Sequence, residues 1–202
     1  MPVRLRNFHT RGKTEAGCDE AGRGCLAGPV VAAAVILPPR FSHPALNDSK
    51  LMTHNERNEL RKVIEKKAIA WAVSFADHNE IDAVNILNAS FMAMHRAVDQ
   101  LQKKPDCLLI DGNRFNPHKR YPHYCIIKGD GKFKSIAAAS VLAKTHRDEY
   151  MEKLATEYPH YLWESNKGYP TKAHRRAISQ HGLSPYHRKS FRQLPGQLPL
   201  NF

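Results

Sequence analysis

The feature that most limits how this chain can fold is a pair of short apolar runs close together near its start. Ala16 to Asp19 ends on a carboxylate and breaks into a glycine-rich turn, and Val30 to Leu37 follows as the uninterrupted run VVAAAVIL. The second run is β-branched and stopped by Pro38-Pro39, the signature of a buried strand. The link between the two is too short to hold a crossover helix, so the strands must pair antiparallel. Beyond them, strand and helix patterns alternate. Thr53 with Glu56 forms a capping box that opens a helix reaching about Lys67. Ala68 to Phe75 is rich in strand formers, and Asn85 to Lys104 carries apolar residues at helical spacing (Ile86, Leu87, Phe91, Met94, Val98, Leu101). Short strands are expected at Cys107 to Ile110 and Tyr124 to Ile127. A long helix over Ser135 to Tyr158 begins almost entirely with small residues, and a basic helix over Thr171 to His181 is closed by Gly182. Alternation of this kind predicts an α/β fold, and the antiparallel pair makes its sheet mixed.

Composition removes several alternatives. With 42% hydrophobic and 25% charged residues in 202, the chain can bury a substantial core. Thirty-one Lys and Arg against nineteen Asp and Glu leave a net charge of +12, which points to a polyanionic partner. Cys18, Cys25, Cys107 and Cys125 form no C-x-x-C pair and read as reduced, buried thiols of a cytoplasmic protein. The basic first residues have no apolar segment of signal-peptide type, and Val30 to Leu37 is too short to span a bilayer. The expected organisation is a loose basic arm (1–14), a core (15–158), a helical extension (159–192) and a flexible tail (193–202). From Ser184 onward the Pro-, Arg- and Gln-rich sequence itself reads as a tail. A monomer without membrane contact is expected.

Three apolar strands run into acids: Asp19 with Glu20, Asp111, and Asp130. One carboxylate at a strand end is an ordinary turn former. Four meeting at one sheet edge would repel unless cations lay between them. Oxygen donors without His or Cys nearby select Mg²⁺ or Mn²⁺. Two such ions, roughly 3.5–4 Å apart, can hold the attacking water and the leaving oxygen of a phosphodiester. Acid inside and basic charge outside suggest a metal-dependent nuclease.

The run from Cys18 to Val30, CDEAGRGCLAGPV, closely resembles the signature of the type 2 ribonucleases H, in particular bacterial ribonuclease HII. Further matches follow in order: Asn47 to Lys50, Ile110 to Asn113, Lys128 to Asp130, Ser135 to Lys144, Arg147-Asp148, Lys167 to Thr171 and His187 to Phe191. The resemblance spans about Ala16 to Phe191. It implies a ribonuclease H-like core with a helical C-terminal extension, and hydrolysis of the RNA strand of RNA–DNA hybrids. It further implies cleavage on the 5′ side of ribonucleotides embedded in DNA, leaving 3′-hydroxyl and 5′-phosphate ends. By the same resemblance Asp19, Glu20, Asp111 and Asp130 are the catalytic, metal-binding acids. Asp148 rivals Asp130 for the fourth place, but the family's fourth acid follows Lys-Gly, as Asp130 does.

The Gly22-Arg23-Gly24 turn lets backbone approach a nucleic-acid strand closely and meet a 2′-hydroxyl. Tyr169, between Gly168 and Pro170, is placed by the resemblance at the junction where a ribonucleotide is followed by DNA. Lys50, Lys128, Lys144 and Arg147 are candidate phosphate contacts. His174 and His187 are expected to face the nucleic acid; the other histidines receive no role. The terminal pattern Gln197-x-x-Leu200-x-Phe202 resembles the short peptide by which bacterial replication proteins dock on the sliding clamp. Two rivals to the hybrid nuclease are a related nuclease acting on DNA junctions and a non-catalytic hybrid-binding protein.

Overall fold

The computed structural model describes residues 5–48, 52–194 and 196. In chain order it contains β1 (Glu15–Ala21), β2 (Val30–Ile36), α1 (His54–Lys67), β3 (Ala70–Ala76), α2 (His78–Val84) and α3 (Ile86–Asp99). Then come β4 (Cys107–Asp111), β5 (His123–Ile126), α4 (Lys134–Glu157), α5 (Trp163–Asn166) and α6 (Lys172–His181). The strands form one sheet in the order β3-β2-β1-β4-β5. β1–β2 and β2–β3 pair antiparallel, whereas β1–β4 and β4–β5 pair parallel, so the sheet is mixed as the short first link requires.

Side-chain alternation along the strands decides what each face buries. Ala16, Cys18, Ala32, Ala34, Leu108 and Ile110 pack on one face against Ala93, Met94 and Ala97 of α3. On the other face Ala33 and Val35 meet Ala137, Ala138 and Val141 of α4, together with Leu60 and Ile64 of α1. The small residues opening α4 let the helix sit almost in contact with the sheet. A Cβ added to Gly17 of β1 would lie 2.2 Å from the backbone carbonyl carbon of Ser135. A third cluster, with Met151, Leu154, Tyr161, Trp163 and Ile178, packs residues 159–194 on the far half of α4.

Several sequence expectations need correction. The capping box at Thr53 is present, but a second one, Asp77 with Glu80, opens α2, a helix that the apolar pattern did not reveal. Asn85, at φ 65°, ends α2 and caps α3 by accepting from the Leu87 and Asn88 N–H groups. The described part of the basic arm is docked rather than loose. Leu5 is buried, the Arg6 N–H donates to the Lys132 carbonyl at 2.8 Å, and Glu15 accepts from the His9 and Thr10 N–H groups. The segment from Ser184 to Leu194 is no tail either, since His187, Arg188 and Gln193 are all buried. Of the four thiols, Cys125 is exposed, lying on the edge strand β5. Among the described residues no helix is long and apolar enough to cross a membrane.

Candidate active site

Register explains why the acids converge. β1 and β4 run parallel with Cys18 opposite Ile110, so one step further Asp19 and Asp111 end side by side and face the same way. Cys18 and Ile110 point into the α3 side, so the two aspartates point to the α4 side, where Ser140 hydrogen-bonds the Asp19 carboxylate. The Glu20 N–H donates to Asp19 Oδ1 at 2.7 Å, and the Gly129 N–H donates to Asp111 Oδ1 at 2.6 Å. Asp130 is the next residue along from that amide; it is buried, and its Oδ1 accepts from the Gly131 N–H at 2.9 Å.

The electrostatics are those of crowded anions. Burial raises the Asp19 pKa well above the usual carboxylate range, and the negative charges of Glu20 and Asp111 push the same way. The Glu20 pKa is also raised, by burial first, against the pull of Arg23, whose Nη1 lies 3.1 Å from its carboxylate. Among the described residues no three His, Cys, Asp or Glu stand close enough together to hold one ion as placed. The donor chemistry nevertheless fits a hard divalent cation: desolvated carboxylates, mutually repelling and without nitrogen or sulfur donors among them.

Beside the acids opens a cleft of about 490 Å³ lined by Glu20, Gly22, Arg23, Gly24, Ser140, Lys144 and Tyr169, with Arg57 on its α1 side. The structure thus brings the turn, Lys144 and Tyr169 to one cavity at the acidic strand end. Tyr169 is 38% exposed; its hydroxyl hydrogen-bonds Cys25, and the Lys144 ammonium lies 5.5 Å from its ring centroid. Lys128 is exposed on the loop leading to Gly129, at φ 54°. Lys50, Gln197, Leu200 and Phe202 lie outside the described residues.

Arg147 has a different job from the phosphate contact expected of it. It is buried and donates to the carbonyls of Pro29 at 3.0 Å, Lys167 at 2.8 Å and Ala27 at 3.1 Å. Asp148 is buried too, and takes Lys144 Nζ at 2.7 Å one helical turn away. His174 and His187 do not face solvent; they are fully buried against Trp163 and each other. Sequence reasoning missed Ser140 and Arg188. Arg188 donates to the carbonyls of Gly22, Arg23 and Gly28 at 2.8–3.0 Å. The available signal is its place in the His187 to Phe191 motif, where the resemblance alone assigns it no role.

A mixed five-stranded sheet carrying clustered acids at one strand end, beside a cleft on a basic chain, defines a nuclease of the ribonuclease H type. Solved structures share the fold. Ribonuclease H2 from Pyrococcus horikoshii matches with a TM-score of 0.74 at 24% identity, covering 89% of this chain and 94% of that one. The ribonuclease HII of a PCNA complex from Archaeoglobus fulgidus matches at 0.71 and 24%, covering 87% and 92%. Bst-RNase HIII in complex with Mn²⁺ matches at 0.66 and 20%, covering 89% and 67%. The family model described as ribonuclease HII matches residues 16–194. Ribonuclease HII of Parabacteroides distasonis is 63% identical over 98% of this chain and all of its own length. That of Bacteroides thetaiotaomicron is 65% identical over 93% and 94%. The chain belongs to the ribonuclease HII family and is a type 2 ribonuclease H, a hydrolase of phosphodiester bonds.

Proposed function

We propose that this enzyme cuts the RNA strand of RNA–DNA hybrids and incises duplex DNA on the 5′ side of single embedded ribonucleotides, leaving 3′-hydroxyl and 5′-phosphate ends. The observation that carries this reading is the adjacency of Asp19, Glu20 and Asp111 to a cleft lined by Gly22-Arg23-Gly24 and Tyr169. Asp19, Glu20, Asp111 and Asp130 are the residues that would hold divalent cations, Mg²⁺ or Mn²⁺. When bound, two such ions supply an activated water and charge stabilisation for the departing 3′-oxygen.

The chain's own residues do the rest. Ser140 and the Glu20 N–H aim the Asp19 carboxylate, and the Gly129 N–H aims that of Asp111. Arg23 steadies Glu20, while Lys144 and Arg57 give the cleft the positive charge a phosphate backbone needs. Gly24, whose missing side chain would stand in open space, leaves room for a ribose to approach the turn, where backbone groups meet its 2′-hydroxyl; Gly22, at φ 97°, makes room for Arg147 behind it. Tyr169 offers a ring face to the neighbouring deoxyribose. Lys128, and Lys50 from outside the described residues, are further phosphate contacts in this scheme. The terminal Gln197, Leu200 and Phe202 are proposed to dock on the sliding clamp, a reading for which the archaeal complex with PCNA is a precedent in the same fold.

The test is incubation with a duplex containing one ribonucleotide, with Mg²⁺, with Mn²⁺ and with chelator, and mapping of the ends. Metal-dependent cutting 5′ of the ribonucleotide is expected. Equal cutting of an all-DNA duplex, or cutting in chelator, would sink the reading.

A further inference from the structure

Arg188 is a fully buried arginine whose whole fork is given to backbone. Its Nη2 donates to the Gly22 carbonyl at 2.8 Å, Nη1 to the Arg23 carbonyl at 3.0 Å and Nε to the Gly28 carbonyl at 2.9 Å. The main chain is stitched to the same place, since the Arg188 N–H donates to the Leu26 carbonyl and the Gly28 N–H to the Tyr186 carbonyl. A charge buried this way, away from a direct carboxylate partner, is costly, and its pKa is pushed down to about 9, chiefly by burial. Such a residue is kept for the geometry it imposes.

That geometry has a consequence at the cleft. The peptides here are trans, so each carries its N–H on the side opposite its carbonyl. Arg188 draws the Gly22 and Arg23 carbonyls inward, which turns the N–H groups of Arg23 and Gly24 outward. Arg23 and Gly24 are exposed and line the cleft; Arg188 lies behind them, away from it. Two successive outward N–H groups make a small concave donor site for one oxygen. We propose that Arg188 is the positioning residue of ribose recognition: it aims the Arg23 and Gly24 N–H groups at the 2′-oxygen of the ribonucleotide. This rests on the reading of the Gly22-Arg23-Gly24 turn as the ribose sensor. Lysine could not substitute, because a single ammonium lacks the planar fork that holds three carbonyls at once.

The experiment compares wild type with Arg188→Lys for binding, in chelator so that nothing is cut, to two duplexes identical except for one 2′-hydroxyl. Wild type should prefer the ribonucleotide duplex, and Arg188→Lys should lose about tenfold of that preference, the worth of a misplaced hydrogen bond to the sugar. Affinity for the all-deoxy duplex should stay unchanged, which a merely structural role would not predict. With Mg²⁺, the loss should fall on KM rather than kcat for the single-ribonucleotide substrate. A wild type that binds both duplexes equally overturns the sensor reading and the proposal together. A discriminating wild type with an equally discriminating Arg188→Lys overturns the proposal alone. Should Arg188→Lys fail to fold, amide NMR of the wild type decides. The Arg23 and Gly24 resonances must shift with the ribonucleotide duplex and not with its deoxy twin, and equal shifts overturn the proposal.

Discussion

The acidic strand end and the wall of the cleft behind it both bury charge, and they resolve the cost in opposite ways. Asp19, Glu20 and Asp111 are held near one another, and although Arg23 pairs with Glu20, burial first and like charge second raise the Asp19 pKa. Arg147 and Arg188 are equally buried, yet each is saturated by three backbone carbonyls. Carboxylates that still repel one another are ready for a cationic ligand, whereas a guanidinium tied to carbonyls is structure. The first group should therefore govern rate and the second should govern stability and shape.

The sharpest way to break that contrast is Asp111→Asn. It should lower the cleavage rate by at least about 10²–10³-fold, the usual cost of removing a charge that serves the transition state. Thermal unfolding should move little or upward, because the change relieves the repulsion on Asp19. A large fall in Tm with near-normal cleavage would reverse the assignment. The pair Asp130→Asn and Asp148→Asn sharpens it further. Asp130→Asn should cost rate, while Asp148→Asn should chiefly loosen Lys144. The opposite ranking would move the fourth acid into α4.

On the other side of the comparison, Arg147→Met should destabilise the fold by about 3–5 kcal/mol, because it strands the carbonyls of Pro29, Ala27 and Lys167 at a buried or half-buried site. Chemical denaturation measures it directly; a loss under 1 kcal/mol would mean that the cluster relaxes easily. Gly22→Ala attacks the same contact from the opposite side. Its Cβ would fall 2.0 Å from Arg147 Nε, on a backbone at φ 97°. Tyr169→Ala should be milder, lowering cleavage at a lone ribonucleotide about tenfold more than on a continuous hybrid if the ring stacks beside the junction. Equal losses on both substrates would reduce Tyr169 to general positioning.

The strand-end acids were legible in the sequence because a carboxylate after an apolar run has few local reasons to be there, and parallel register then places Asp19 beside Asp111. The mixed sheet followed from the length of one link. What was not legible has a common cause. Arg147, Arg188, His174 and His187 look like solvent or phosphate residues by type, and only their partners make them interior. Those partners are carbonyls at Ala27, Pro29, Gly22 and Tyr169 and, for His187, the Ser184 N–H, none of which has a sequence signature. Helix α2 was missed for a related reason, since it buries little beyond Ile81 and starts on a capping box rather than an apolar stripe.

The histidine pair supports the cleft from behind, and its effect is on stability rather than rate at neutral pH. The Trp163 N–H donates to His174 Nε2 at 3.0 Å, so the His174 proton sits on Nδ1 and is donated to the Tyr169 carbonyl at 2.9 Å. His187 Nδ1 accepts from the Ser184 N–H at 2.9 Å, which leaves its own proton on Nε2, 3.2 Å from His174 Nε2. Every ring nitrogen is committed in the neutral state, and a further proton would meet a donor. Burial, followed by the neighbouring His174, pushes His187 down to about 3, and burial lowers His174 as well. In the unfolded chain both titrate near about 6.5. Below that value the unfolded state takes up protons that the fold refuses. Stability is therefore complete above about pH 6.5 and declines as pH falls toward 3, by up to about 1.4 kcal/mol per pH unit for His187, with His174 acting in the same direction. His187→Asn keeps an acceptor for Ser184 and cannot titrate. Between pH 7.5 and 5.0 it should lose about 2 kcal/mol less denaturation free energy than wild type. Tyr169 is held by His174 and not by His187 directly, so single-ribonucleotide cleavage at pH 7.5 should change little. Parallel pH profiles for the two proteins would place the acid sensitivity elsewhere, in the carboxylates at the strand end.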